Sequence, residues 1–310
     1  MISAAPNTVS CMADLEYAHR PTGALALDLF LPPNVSATTN GAPLVLYLHG
    51  GAWVMGGRRD HPLRMRHLAA QGLAVASLDY RPVHRAAFPA QREDVAAAIE
   101  FLRRDGERFG VNVSAVGLYG ASAGAHLAAM AALTLSESTD AAVFAFAGIF
   151  GRYDLTSAGL VPVPEPGLRA PDEVLNSAWP VELGGRPVSP TKLRSLLTGV
   201  EERRLDDDAL RAFSPIYLLD RADVPIMVLH GSADGVTHHA HGENFVRAAR
   251  SAGRDAEIEL IEGANHEDPW FDGPEAAAKL GAFFHRGAHS SSMRARTAGS
   301  APVVTPEPGR

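Results

Sequence analysis

Gly120-Ala121-Ser122-Ala123-Gly124 is the stretch of this chain whose residue types and spacing most directly suggest chemistry. A short apolar run from Val116 leads into it, and an alanine-rich segment, Ala128 to Leu135, follows. Gly-x-Ser-x-Gly between a strand and a helix describes a strained turn. It lifts a serine hydroxyl above the sheet, at the positive end of the helix. Gly120 and Gly124 leave room for the strand and helix to approach each other.

A serine hydroxyl is a poor nucleophile at neutral pH and needs a base within hydrogen-bond reach. In elbows of this kind the chain order is serine, then acid, then histidine. The apolar run Ile226 to Leu229 is followed by His230-Gly231-Ser232-Ala233-Asp234, and Ile258 to Ile261 by Glu262-Gly263-Ala264-Asn265-His266. Asp234 and His266 thus fall in loops after successive strands, in the required order behind Ser122. Taken singly, each is a routine loop residue; together they predict a triad of Ser122, His266 and Asp234. Asp154 is a weaker acid candidate, because it precedes the last strands rather than joining them.

Acyl transfer also passes through a tetrahedral oxyanion, and losing one preorganised donor costs about 3 kcal/mol. The run Leu44 to Leu48 leads into His49-Gly50-Gly51-Ala52-Trp53, a glycine-rich turn able to aim consecutive amides at one point.

The elements that must position these residues alternate along the chain. Two strands, Asp14 to Ala18 and Ala24 to Leu31, flank the turn Pro21-Thr22-Gly23 and read as an antiparallel extension. Leu44 to Leu48 reads as a strand buried on both faces. Helix-like segments (residues 61–71, 89–109, 243–252 and 274–285) alternate with strand-like runs at residues 73–78, 142–149, 226–229 and 256–261. That rhythm predicts an α/β fold with a mostly parallel central sheet and helices on both faces. Residues 151–214, with seven prolines from Pro162 to Pro190, break the rhythm and read as a cap-like insertion. The expected boundaries are a disordered segment 1–12, one domain over 13–287, and a disordered tail over 288–310.

Composition narrows the function classes. The 310 residues suffice for a sizeable core, and 46% are hydrophobic. A formal charge of −7 and a pI near 6.0 argue against nucleic-acid or anionic-membrane partners. Cys11 is the only cysteine, so an intramolecular disulfide is impossible. Met1 to Asn7 has no basic segment before an apolar core, and no apolar run reaches the roughly 18 residues of a membrane span. The expected address is cytoplasmic. His238, His239 and His241 lack further ligands at zinc-like spacing and read as a surface helix start, so no metal is expected. His126 reads as a packed, hydrogen-bonded histidine, and His49 as a residue that orients the glycine-rich turn.

His49-Gly50-Gly51-Ala52-Trp53, the Ser122 elbow and the Asp234 and His266 loops together resemble the α/β-hydrolase superfamily. Within it they are similar to the hormone-sensitive-lipase-like carboxylesterases and the feruloyl-esterase and kynurenine-formamidase-like group. The resemblance runs from about Asp14 to His285. It also covers Asp79-Tyr80-Arg81, Phe88-Pro89 and Ser214-Pro215. It implies an α/β-hydrolase fold with the N–H groups of Gly51, Ala52 and Ala123 as the oxyanion hole. Ala52 stands where the family has a fourth glycine, and it narrows the allowed backbone angles. A small-molecule ester substrate, cleavage through an acyl-enzyme, no cofactor and a homodimer are implied as well. Cleavage of a small amide, as by an arylformamidase, is the alternative; a binding module and a peptidase are further ones. Trp53, Phe88, Trp179 and Trp270 are the candidate pocket walls.

Overall fold

The computed structural model describes residues 8–33, 35, 41–135, 139, 141–156 and 181–299. Continuous apolar runs build the centre. Strand β3 (Ala42–Leu48) is almost wholly inaccessible, as β4 (Ala74–Leu78) also is. Burial on both faces is what all-apolar, β-branched and Leu-rich strands permit. Around them lie β1 (Ser10–Arg20), β2 (Gly23–Leu31), β5 (Val111–Ala121), β6 (Ala142–Ile149), β9 (Ile226–Gly231) and β10 (Ala256–Ile261). They form an eight-stranded sheet in the order β1-β2-β4-β3-β5-β6-β9-β10. From β4 to β10 all pairs are parallel, while β1 with β2 and β2 with β4 are antiparallel. The first strand pair is therefore the antiparallel extension expected from its turn.

Helices cover both faces, as the alternating pattern predicts. On one face α1 (Pro62–Ala69) and α7 (Pro274–Gly299) pack through Met65, Leu68, Leu280, Phe283 and Phe284 onto Tyr47, Tyr119 and Phe144. On the other, α2 (Ala90–Asp105), α3 (Ala123–Thr134) and α6 (Ala240–Ser251) contribute Val95, Ile99, Leu127 and Phe245. Helix α3 is buried throughout, which suits its alanines: only small side chains let a helix lie this close to a sheet.

The outer boundaries differ from those expected. Strand β1 begins at Ser10, pairing Ser10, Cys11 and Met12 with Leu31, Phe30 and Leu29, so these three residues belong to the sheet. The segment from 288, expected to be a disordered tail, continues α7 as far as Gly299. Extending an anchored helix needs no new nucleus, and the Ala- and Arg-containing stretch has no proline before Pro302. Residues 300–310 lie outside the described residues, as do 1–7.

Within the expected insertion, residues 157–180 lie outside the described residues, and Trp179 with them. The remainder holds a small hairpin of β7 (Glu182–Leu183) and β8 (Arg186–Pro187), then α4 (Pro190–Thr198) and α5 (Asp207–Arg211). The acidic run Asp206-Asp207-Asp208 starts α5, with the Asp206 carboxylate capping the Ala209 amide at 2.8 Å. Among the described residues no helix is long and apolar enough to cross a membrane.

Candidate active site

The carboxyl ends of β3, β5, β6, β9 and β10 face one region, the usual location for sites in parallel sheets. At the end of β5 the chain turns within one residue. Ser122 has φ 52° and ψ −119°, strained for any side chain larger than glycine. Gly120 and Gly124 make the turn possible. A Cβ on Gly120 would lie 2.2 Å from the Gly124 carbonyl oxygen, and one on Gly124 would lie 2.1 Å from that of Leu48.

His266 stands beyond β10 and Asp234 beyond β9, and both reach Ser122's side of the sheet. His266 Nδ1 donates to Asp234 Oδ2 at 2.8 Å, which leaves Nε2 as the acceptor for the Ser122 hydroxyl at 3.1 Å. Asp234 Oδ1 accepts the amides of Val236 and Thr237, each at 2.8 Å. His230 Nε2 lies 3.3 Å from Oδ2 and 2.8 Å from the Thr237 carbonyl. Burial alone would raise the Asp234 carboxyl, but hydrogen bonds from His230 and His266 outweigh it and hold it well below the usual carboxylate range. The acid is thus an anion throughout the neutral range, able to orient the imidazole and to stabilise its cation. Asn265 ties the two loops together, its Oδ1 accepting the Gly235 amide at 3.0 Å and the His266 amide at 2.7 Å.

A cavity opens in front of Ser122. Gly51, Ala52, Trp53, Ala123 and His266 line it, together with Met55, Arg152, Val181 and Glu267. The amides of Gly51, Ala52 and Ala123, three residues that line the cavity, make no hydrogen bond among the described residues. The loop that carries the first two is unusual. Gly51, Ala52 and Trp53 have φ of 110°, 49° and 64°, three consecutive residues in the left-handed region. Gly51 is also the one position there with no space for a side chain, since a Cβ would meet the Met55 carbonyl oxygen at 2.2 Å. His49 orients the loop from behind: its ring stacks on Tyr80 at 4.2 Å, its Nδ1 donates to the Gly50 carbonyl at 2.7 Å, and the Tyr80 hydroxyl donates to the His49 carbonyl at 2.8 Å.

Of the other aromatic candidates, Phe88 and Trp270 are not among the described residues that line this cavity. Phe88 packs edge-on against Phe213 at 6.1 Å. Trp270 packs edge-on against Phe271 at 5.4 Å and donates its indole N–H to Glu275 at 2.9 Å. Both fill the space between helices and loops, a use of aromatic area that residue type does not distinguish from a pocket wall. Asp154 caps the Thr156 amide at 2.9 Å. His238, His239 and His241 do lie at a helix start, with His239 as the cap of α6, but His241 in its first turn is buried, and among the described residues no group of side chains could hold a metal.

Residues without a sequence signal also surround the site. Arg64 in α1 is buried and joins three partners: Glu267 at 3.0 Å, Asp272 at 2.7 Å and the Tyr47 hydroxyl at 2.8 Å. Glu267 follows His266 directly and has φ 54°. Burial raises the Asp272 carboxyl, but hydrogen bonds from His61 and Arg64 and their charges lower it further, to below its ordinary value. Arg64→Met is expected to destabilise the fold by about 2 to 3 kcal/mol, less than a fully buried pair because both carboxylates keep some exposure. The Asp272 share of that loss is present above the unfolded carboxylate pKa and disappears as pH falls through the lowered folded value. Urea denaturation of the two proteins at neutral and acidic pH measures both the loss and its narrowing.

Comparison with known proteins places these features in context. Residues 27–157 match the BD-FAE family and residues 193–289 the prolyl oligopeptidase family. The chain is 32% identical over 251 residues to Esterase LipC of Mycobacterium tuberculosis, covering 76% of this chain and 55% of that protein. It is 31% identical over 238 residues to Esterase LipQ of the same organism, covering 73% and 50%. The chain therefore spans about half the length of the curated relatives it matches. A solved structure described as a truncated form of carbohydrate esterase from gut microbiota superposes with a TM-score of 0.71 at 23% identity. That superposition covers 92% of this chain and 99% of the other.

Proposed function

Since the chain belongs to the α/β-hydrolase superfamily, we propose that it hydrolyses a small carboxylic ester through an acyl-enzyme intermediate. The observation that carries this reading is the unbroken hydrogen-bonded line from Asp234 through His266 to Ser122, ending at a cavity lined with unengaged amides. In this reading Ser122 Oγ attacks the ester carbonyl while His266 Nε2 takes its proton. Asp234 holds the imidazole in the Nδ1–H tautomer and stabilises the imidazolium. The amides of Gly51, Ala52 and Ala123 receive the oxyanion. His266 then protonates the leaving alcohol, and water, deprotonated by the same histidine, releases the acid. No cofactor enters these steps.

An ester is favoured over an amide by the relatives, which are named esterases. A short acyl group fits the cavity, whose walls combine small residues with Trp53, Met55 and Val181. The same reading carries a cytoplasmic location and a homodimer. Initial rates on p-nitrophenyl acetate, butyrate, octanoate and palmitate, with N-formylkynurenine as the amide probe, are expected to peak at the short esters. Preference for the formamide would move the protein to amide hydrolysis, and rates equal to those of Ser122→Ala throughout would remove the enzymatic reading.

A further inference from the structure

Trp53 lines the cavity, yet its one polar atom is turned away from any substrate. Its indole N–H donates to His126 Nδ1 at 3.2 Å, and the two rings meet edge-on at 5.5 Å. His126 is buried and held from its other side, Nε2 donating to the Phe213 carbonyl at 2.7 Å. These two bonds require the neutral Nε2–H tautomer. Burial favours it, pushing the imidazole down to about 4 against the weaker effect of the Phe213 bond.

The place of this pair in the fold matters more than its chemistry. Trp53 is the residue after Ala52, and His126 sits one turn into the helix that begins at Ala123, its amide donating to the Ser122 carbonyl at 3.2 Å. The unengaged amides of the cavity come from two separate pieces of chain: Gly51 and Ala52 on the loop after β3, and Ala123 at the start of α3. The indole–imidazole bond is a direct side-chain link between those two pieces. On the loop side, Gly51, Ala52 and Trp53 occupy three consecutive left-handed conformations, a geometry that persists only where the surroundings over-determine it. Local bonds from the Val54 and Met55 amides to the Gly51 carbonyl close the turn, and the Val83 amide anchors the Trp53 carbonyl at 2.9 Å. Those bonds shape the loop, and Gly124 packs on the Leu48 and His49 carbonyls at its root. Farther along, at Ala52 and Trp53, the Trp53–His126 bond is the side-chain tie to the elbow helix.

We propose that Trp53 and His126 form a clamp that fixes the two halves of the oxyanion site relative to each other, making His126 a positioning residue for ester hydrolysis. This rests on the reading of the Gly51, Ala52 and Ala123 amides as oxyanion donors. A clamp of this kind acts on the tetrahedral state more than on substrate binding, because displaced donors lose most where charge is greatest.

Four variants test it on p-nitrophenyl butyrate: Trp53→Phe, His126→Leu, their double mutant, and His126→Asn, whose side-chain oxygen falls near the position of Nδ1. Trp53→Phe and His126→Leu are each expected to lower kcat about tenfold with KM nearly unchanged. The double mutant should fall no further than about twofold below either, because both changes break one bond. His126→Asn should recover most of the loss. Butaneboronic acid, which forms a tetrahedral adduct on a reactive serine, should lose affinity by the same factor as kcat in each variant. Thermal unfolding run alongside reports folding, and if Trp53→Phe does not fold, the His126→Leu and His126→Asn pair decides. Full kcat in Trp53→Phe, additive losses in the double mutant, or lowered stability with unchanged kcat and boronate affinity would each overturn the clamp. Wild-type protein that neither turns over the ester nor captures the boronate overturns the hydrolase reading, and this inference with it.

Discussion

Ser122→Ala is expected to lower kcat/KM for p-nitrophenyl butyrate by about 10⁴-fold or more, while thermal stability stays within about 1 kcal/mol of wild type. The two halves of this expectation come from different features. The activity loss follows from the proposed route: without Oγ there is no acyl-enzyme, and His266 can only promote slow attack by water. The small stability change follows from the hydrogen bonds, because among the described residues Oγ is joined to His266 alone, at 3.1 Å. The strained turn does not depend on the hydroxyl either. The Ser122 amide donates to the Ile149 carbonyl at 3.0 Å, and that bond survives in the alanine variant. Circular dichroism melts with steady-state rates make the measurement. Retained activity in a folded variant would mean that the serine is not the nucleophile, and loss of both together would make the result one about folding.

Much of the fold and of the Ser122–His266–Asp234 arrangement was legible because the demands are local. Gly120 and Gly124 are required by contacts within a few residues of Ser122 or with the adjoining β3 loop, so the pentapeptide carries its own conformation. The runs Leu44 to Leu48 and Ile226 to Leu229 announce buried parallel strands, and the polar residues just after such strands fall where a site can form. Arg64 has no comparable signal. It looks like any polar position on an amphipathic helix, and its partners Glu267 and Asp272 lie about two hundred residues away in sequence. The same holds for the Trp53–His126 bond: each residue type stood out, but their meeting depends on how α3 lies against the loop after β3. Phe88 and Trp270 show how little residue type says about placement. An aromatic residue near a motif marks buried area, and which wall it faces is settled only by packing. The helical extension to Gly299 likewise depends on α7 already being anchored on the sheet, which the Ser- and Ala-rich composition of that segment does not reveal.

Asp234→Asn is expected to cost about 10⁴-fold in kcat/KM, comparable to losing the serine, although the substitution changes one atom. The reason is that both oxygens of Asp234 accept hydrogen bonds and neither position tolerates a donor. With the amide nitrogen toward His266, N–H would face N–H, and the imidazole would shift to the tautomer in which Nε2 carries the proton and no longer accepts from Ser122. With the amide turned over, its N–H groups would face the amides of Val236 and Thr237, which Oδ1 now satisfies at 2.8 Å each. Either orientation also leaves the imidazolium formed during attack without its counter-charge. Stability should fall as well, by about 2 kcal/mol at neutral pH, for the same lost bonds. Its pH dependence has a definite sign. Asp234 is held below the usual carboxylate range, so its contribution is present above the unfolded pKa and disappears only as pH falls through the lowered folded value. The stability gap between wild type and Asp234→Asn should therefore narrow on acidification. Denaturation at neutral and acidic pH, with rates at neutral pH, tests both parts. A rate loss under about tenfold would mean that another acid orients His266, and Glu267, its neighbour in the cavity wall, would be the residue to replace next.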